Sequence, residues 1–432
     1  MTFHDAEQFL LSLSNIPRPK DRQHTPMVLK RMHHILSLLD HPERKIPHYI
    51  HVGGTSGKGS VATFLHHILL ADGTRVGTLT SPHHTKITER WTVGRQTMSP
   101  TVFARIVEEL KTPLSDYLRT SRYGMLSYVE LTTVIGLYYF AQQKVDWAVI
   151  EVGCGGTYDS TNIIPWKDAA IITNVGLDHV DILGRTKTAI AKEKSGIITK
   201  GTAVFTMDTD PKVLRLLEAA CATTEALLTT MTKPPHSTNN GWSGQTFQYH
   251  GEACPLSAFG EHQAANAYLC AMVAEYLGIQ QNIIRTGLAA AKQPLRMEIV
   301  STHPVIIVDG AHNREKMETT VRTIQSLRKN NQDIHLIIGF SEEKPQRAML
   351  RELKQLHPRS IACTRNTVNP FRKVSHPAAL ARACTSLLPT ATVQAFLDPN
   401  DAYAWSTVQM KQNDILLVTG SIFLSGEIKK CV

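Results

Sequence analysis

The sequence predicts an α/β protein, with a central, mainly parallel sheet in a first domain and a smaller, doubly wound second domain at the C-terminal end. Three observations carry this expectation. Short β-branched runs recur between longer amphipathic stretches, the alternation that a parallel sheet with helical crossovers requires. The 432 residues exceed the roughly 100–200 of a usual single domain, so at least two cores are expected. Composition is that of a globular chain, 42% hydrophobic and 19% charged, which argues against disordered, collagenous and coiled-coil classes.

Taken in order, the expected strands are the short β-branched runs 49–52, 75–80, 145–152, 169–174, 203–206, 305–309, 334–339, 360–363 and 415–419. Helices are expected over 59–71, 128–142, 186–197, 263–277, 314–328 and 346–355, so most crossovers are helical. The stretch 232–244 (TKPPHSTNNGWSG) is rich in Pro, Ser, Asn and Gly and reads as a solvated loop. A fresh strand–helix–strand series begins at Val305, which places the domain boundary near 298–304 and gives domains 1–298 and 299–432.

Lys+Arg 46 against Asp+Glu 37 gives a net charge of +9, which points to acidic partners. Nucleic acid is one option, but no long Arg/Lys run and no aromatic–basic alternation marks a binding face, so anionic small molecules are equally compatible. No apolar run approaches the ~18–20 residues that span a bilayer, and the start MTFHDAEQFL lacks the pattern of a signal peptide. A cytoplasmic protein without membrane association is expected. The seven cysteines are odd in number and form no CxxC pair, consistent with reduced thiols. Of the 20 histidines, the pairs His33-His34, His66-His67 and His83-His84 lie in unrelated local contexts, and for most of the histidines a surface or capping role outweighs metal ligation.

Residues 48–69, HYIHVGGTSGKGSVATFLHHIL, read as strand, glycine-rich turn and helix. Successive backbone N–H groups of Gly54, Thr55, Ser56, Gly57 and Gly59 would form an anion cradle at a helix N-terminus, with Lys58 supplying charge to the outer phosphates and Ser60 a hydroxyl. That is how proteins hold ATP or GTP. The turn is a variant, because Gly59 separates Lys58 from Ser60 and Val52 stands where the usual first glycine would be. Glu151 ends an apolar strand before a glycine turn, where it is either a metal or base residue or a loop carboxylate; His179 follows the next strand and leaves the same two readings open. Lys194, near a helix end, reads by itself as a cation satisfying terminal carbonyls. His262 and Asn266 share a helical face, and Asp309 closes a strand as either a turn former or a site residue.

The turn GTSGKGS resembles the GTNGKGS turn of the folylpolyglutamate synthase and dihydrofolate synthase family of the Mur ligase superfamily. Further segments resemble that family in order along the chain: TSPHHTKITERW (80–91), SYVELTT (127–133), IEVGCGGTYDSTN (150–162), VGLDHVDILG (175–184), AKEKSGII (191–198), GEHQAANA (260–267), LRMEIV (295–300), VDGAHN (308–313) and VTGSIFLSGEI (418–428). The resemblance spans essentially the whole chain and implies a Mur-ligase-like ATPase domain followed by a glutamate-ligase domain. It implies an ATP-dependent ligase that joins L-glutamate to a folate, folylpolyglutamate or dihydropteroate carboxylate through an acyl phosphate. It also implies Mg²⁺ on Ser60, Ser81, Glu151 and His179, a carbamylated Lys194, K⁺ as a further ion, nucleotide contacts from Asn266, Arg296, Asp309 and His312, and a monomer. Pro82, His83 and Asp159 fall in the family's substrate-side segments, and Arg119 and Arg122, in an expected loop over 112–126, are candidate partners for glutamyl tails or else solvated charges.

The chain departs from the family pattern at four places: Thr157 for an arginine, Leu295 for the glycine before Arg296, the Glu342–Pro345 stretch for a DKD-like loop, and Ser56 for an asparagine. Two alternatives stand beside the folate reading. One is a superfamily amide ligase acting on a different carboxylate, and the other is a P-loop regulatory protein whose nucleotide state controls a partner.

Overall fold

The computed structural model describes residues 1–12, 24–231, 233–368 and 373–432. Its strands, in chain order, are β1 (His48–Gly53), β2 (Val76–Leu79), β3 (Trp91–Val93), β4 (Gln96–Thr97), β5 (Trp147–Glu151), β6 (Ala169–Ile172), β7 (Ala203–Thr206), β8 (Leu227–Thr230), β9 (Ser237–Asn239), β10 (Gln245–Tyr249), β11 (Glu252–Leu256), β12 (Glu298–Thr302), β13 (Val305–Val308), β14 (Ile334–Ile338), β15 (Ser360–Cys363), β16 (Thr392–Ala395) and β17 (Ile415–Thr419). The chain divides into two compact units, one of residues 1–235, 249–254 and 265–291, the other of 236–248, 255–264 and 292–432.

The first unit is built on an eight-stranded sheet of order β4-β3-β2-β5-β1-β6-β7-β8. The six strands from β2 to β8 are parallel, whereas β3 and β4 turn back antiparallel at one edge. The interior strands read as unbroken apolar runs, AVI in β5 and AAII in β6, because helices cover both faces of such a sheet. Helix Tyr128–Gln142 starts where Ser127 accepts from Glu130 N and the Glu130 carboxylate accepts from Ser127 N, a reciprocal cap. Glu130 also holds Arg31 at 2.6 Å in a buried ion pair that ties helix Met27–Leu38 to this cap.

The second unit holds a six-stranded sheet of order β12-β13-β17-β14-β15-β16, parallel except for β12. Its core gathers Ile307, Ile334, Leu336, Ile361 and Leu417 from the strands and Met317, Val321, Leu353 and Leu380 from helices. The α/β class, with a large parallel-rich sheet and a second C-terminal sheet, is therefore as expected.

Two local expectations are corrected. The loop placed over 112–126 is helical up to Thr120, as part of Pro100–Thr120. Ser99 caps this helix, Pro100 suits its first turn, and the buried stripe of Phe103, Ile106, Val107, Leu110 and Tyr117 carries it past Pro113. The stretch 232–244 is not all loop: β9 pairs antiparallel with β10, and Thr232 lies outside the described residues. All seven cysteines are unpaired. Among the described residues, no helix is long and apolar enough to cross a membrane.

Candidate active site

Four motifs follow four neighbouring parallel strands of the first unit. TSPH follows β2, the GCGGTYD turn follows β5, the phosphate turn follows β1 and TN-VGLDH follows β6, so sheet order alone brings them to one carboxyl edge. The register agrees, with Val52 opposite Glu151 and Gly53 opposite Ile172.

The phosphate turn is fixed by its neighbour after β6. Asn174 accepts from Ser56 N through Oδ1 at 2.9 Å and from Thr55 N through its carbonyl at 2.8 Å. Thr173 Oγ1 donates to the Ser56 carbonyl at 2.6 Å, and Gly176 N donates to Thr55 Oγ1 at 2.9 Å. Two glycines are required here. Gly54, at φ +135°, has Thr173 Oγ1 1.8 Å from where a Cβ would stand, and Gly57, at φ +84°, has Asn266 Oδ1 2.6 Å from that point. Asn266 thus lies directly over the turn. Helix Lys58–Ala71 begins at Gly57, so its N-terminal N–H groups and Lys58 belong to the same cradle.

Two lysines converge on one carbonyl. Lys58 Nζ donates to the Gly54 oxygen at 3.0 Å and Lys194 Nζ to the same oxygen at 2.8 Å. Lys194 is 4% exposed. Burial first, and then the charge of Lys58, pull its ammonium down to about 8. Lys194 therefore does satisfy a backbone carbonyl, but one in the phosphate turn and not one at the end of its own helix. It reaches across 140 residues of sequence into the phosphate turn.

Glu151 is buried at the end of β5, and its Oε2 accepts from Ser81 N at 2.8 Å. The same oxygen lies 3.6 Å from where a Gly59 Cβ would stand, beside Ser60 in the first turn of the helix. Carboxylate and hydroxyl oxygens at this edge suit a hard divalent cation. Pro82 follows Ser81, and His83 Nδ1 accepts from Arg90 Nε at 3.1 Å. His179 caps helix Val180–Leu183 with a left-handed backbone at φ +49°, and its half-exposed ring has Asp178 at 3.9 Å.

Asp159 closes the GCGGTYD turn, accepting from Cys154 N at 2.8 Å, Thr161 N at 3.0 Å and Thr161 Oγ1 at 2.5 Å. Arg119 is paired with Asp116 on its own helix, and Arg122 stacks on Tyr123 with 5.5 Å to the ring centroid. Both guanidinium groups thus have local partners.

The second unit builds its own cluster around Asp309 at the end of β13. The carboxylate accepts from Met297 N at 3.0 Å, Ala311 N at 3.0 Å and Thr320 Oγ1 at 2.8 Å, locking the GAHN turn. Arg296 Nη1 lies 2.7 Å from where a Gly310 Cβ would stand, so the guanidinium covers this turn. His312 Nδ1 bonds the Gly310 carbonyl at 2.7 Å and Lys316 Nζ approaches Nε2 at 3.4 Å. Burial and that ammonium hold the imidazole neutral, at about 3.

Comparison with known proteins bears on what this edge does. Residues 52–274 match the Mur ligase middle domain and residues 295–422 the Mur ligase glutamate ligase domain. The Bacillus subtilis dihydrofolate synthase/folylpolyglutamate synthase is 32% identical over 93% of this chain and 94% of its own. The chain belongs to the folylpolyglutamate/dihydrofolate synthase family of Mur ligases. A Mycobacterium tuberculosis folylpolyglutamate synthase solved with ADP and AMPPCP superimposes with a TM-score of 0.85 at 27% identity, covering 99% of this chain and 98% of that one. The Escherichia coli FolC structure with DHPP and ADP gives a TM-score of 0.80 at 26% identity, covering 99% and 97%.

Members of this family are ATP-dependent ligases that form C–N bonds, so the ligase class expected from the sequence is borne out. A nucleotide-dependent regulatory protein is set aside by the same match. Sequence reasoning passed over Asn174 and Thr173, which hold the phosphate turn by side-chain bonds. The signal was present, in a strand ending in Thr-Asn next to the P-loop strand. It also passed over His24, whose Nε2 lies 2.8 Å from Glu193 beside Lys194.

Proposed function

We propose that this chain joins the α-amine of L-glutamate to a carboxylate of a reduced folate or folylpolyglutamate, and also of dihydropteroate, at the expense of ATP. The observation that carries the reading is the convergence of Lys58 and Lys194 on the Gly54 carbonyl, at the sheet edge where Glu151 meets the TSPH segment.

A carboxylate anion is a poor electrophile, so it must first be activated. The carboxylate oxygen attacks the γ-phosphorus of ATP, ADP leaves, and an acyl phosphate forms. The glutamate amine then attacks the acyl carbon, loses a proton, and phosphate leaves with the former C–O bond as the amide forms. The turn N–H groups bind the phosphates, and Lys58 swings from the Gly54 carbonyl to meet charge developing on the γ-phosphate. In the second unit, Arg296, Asp309 and His312 are assigned to the nucleotide, with Asn266 over the turn. Asp309, fully engaged by three donors, positions the GAHN backbone.

Ser60, Ser81, Glu151 and His179 would hold Mg²⁺, which when bound neutralises phosphate-oxygen charge. Lys194 is assigned as the carbamate former. Its neutral amine takes up CO₂ and releases a proton, leaving an anion in place of an ammonium. K⁺ is assigned as an accessory ion, and the working unit as a monomer.

The test is incorporation of labelled glutamate by the purified protein with MgATP and K⁺, across dihydropteroate, tetrahydrofolate and folylglutamates. Phosphate release is expected only when acid and amine are both present. No incorporation into any of these acids would reject the folate assignment and leave only the ligase class.

A further inference from the structure

Arg90 ends the short 3-10 turn Ile87–Arg90 and is 9% exposed as a residue, yet among the described residues it forms no ion pair. A buried guanidinium ordinarily has a carboxylate, because desolvating an unpaired charge is costly. The adjacent carboxylate is committed elsewhere. Glu89 accepts from Thr85 Oγ1 at 2.5 Å and from the backbone N–H groups of His84, Thr85 and Lys86 at 2.8, 3.1 and 3.1 Å. Arg90 instead donates Nε to His83 Nδ1 at 3.1 Å and lies over the Tyr128 ring, 5.6 Å from its centroid.

Those neutral partners fix the guanidinium without neutralising it. The backbone around it is pinned as well, since Thr80 N donates to the Arg90 carbonyl at 2.9 Å. The same loop carries Ser81, bonded to Glu151 at the reacting edge. A cation that is pre-oriented, dry and lacking a counter-ion, on the loop that begins at this edge, is equipped to receive an anion.

We infer that Arg90 binds a carboxylate of the acid substrate, with His83 and Tyr128 holding the guanidinium in place for it. The inference rests on the ligase reading proposed above. The carboxylate has two possible sources in the acid, the reacting group itself or a non-reacting carboxylate of a glutamyl tail, and the arms of the test separate them.

The experiment compares wild type with Arg90→Gln and Arg90→Lys, measuring KM for dihydropteroate, folylmonoglutamate, ATP and glutamate. Arg90→Gln is expected to raise KM for the acid about 10- to 100-fold, the loss of a charge-assisted hydrogen bond, with KM for ATP and glutamate within twofold. Arg90→Lys, which keeps the charge but not the fork, should fall between. Equal losses on both acids assign the reacting carboxylate, and a loss confined to folylmonoglutamate assigns the tail. The inference is overturned if KM for both acids stays within twofold of wild type, or if the rise falls on glutamate instead. Should Arg90→Gln not fold, as judged by its unfolding midpoint, Arg90→Lys carries the same comparison. A wild-type protein with no turnover on any acid sinks the ligase reading rather than this one.

Discussion

Replacing Lys194 by Met should separate activity from stability. The ammonium is buried and pulled from an ordinary 10.5 to about 8, so at pH 7 about 10% of it is neutral, against ~0.03% for a solvated lysine. That neutral fraction is what reacts with CO₂. The same shift carries a sign for stability. A lysine whose folded value is depressed binds fewer protons folded than unfolded between about 8 and 10.5, so its penalty shrinks as pH rises through that window. From these two values the group's penalty is about 3 kcal/mol at pH 7 and about 2 kcal/mol at pH 9. Against it stands one hydrogen bond to Gly54, about 1 kcal/mol. Lys194→Met is therefore expected to match or exceed wild-type stability at pH 7 in CO₂-free buffer. Wild type should gain about 1 kcal/mol on the variant between pH 7 and 9. Turnover should fall by about 10²-fold or more, with partial rescue by short-chain carboxylates that supply the missing anion. Urea unfolding at both pH values and glutamate incorporation measure the two effects. Parallel pH dependence of the two proteins, with turnover of the variant within twofold of wild type, would refute the assignment.

Lys58→Ala should lower turnover by about 10²–10⁴-fold with an unchanged urea midpoint, since it removes a charge from the phosphate turn and not from a core; near-native ligation would sink the P-loop assignment. Gly57→Ala places a Cβ 2.6 Å from Asn266 Oδ1 and should abolish ATP binding, whereas Gly73→Ala, at a similar φ of +82° with nothing within 4 Å, should cost about 1 kcal/mol of stability and leave ATP binding intact. Arg31→Ala leaves Glu130 charged and buried, and an unfolding free energy lower by about 3–5 kcal/mol is expected; a loss below about 1 kcal/mol would show the pair to be dispensable. Leu295→Gly relieves a left-handed backbone at φ +53° but empties a buried site, so a net loss of about 1–3 kcal/mol is expected by urea unfolding, and a gain would contradict the packing account.

What the sequence made legible follows from how each element is stabilised. The interior strands β1, β5, β6, β13, β14 and β17 are buried on both faces and show as apolar runs, interrupted only by His51 in β1 and His335 in β14, so pattern alone located them. The edge strands QT of β4, STN of β9 and TVQA of β16 are short and partly exposed, held by pairing that no local signal reveals. Site residues divide in the same way. The phosphate turn, Glu151 and Asp309 stand at strand ends and were visible as motifs. The bond from Lys194 to Gly54 was not, because it depends on where a helix end packs against the sheet. Arg119 and Arg122 looked available only because Asp116 and the Tyr123 ring are local partners whose side-chain geometry the sequence does not state.

Two of the departures from the family pattern, Thr157 and Leu295, are absorbed by local bonding and packing. Thr157 donates both its N–H, at 2.9 Å, and its Oγ1, at 3.0 Å, to the Glu193 carbonyl, and its Oγ1 lies 2.1 Å from where a Gly196 Cβ would stand. The Thr157 hydroxyl thereby ties the GCGGTYD turn to the helix that carries Lys194. Leu295 takes the left-handed conformation that favours glycine, at a cost of about 1 kcal/mol. Its N–H donates to Glu298 at 2.9 Å and its carbonyl accepts from Gly310 N at 2.8 Å, so the turn is pinned from both sides. The side chain is buried with Ile306, Val308 and Ile422, a gain of about 1.5–3 kcal/mol that offsets the strain. Arg296 is thereby held over Gly310, and Met297 N bonds Asp309. Burial in this chain does the work that backbone freedom would do with glycine, and the Arg296–Asp309 arrangement that the ligase reading needs is kept.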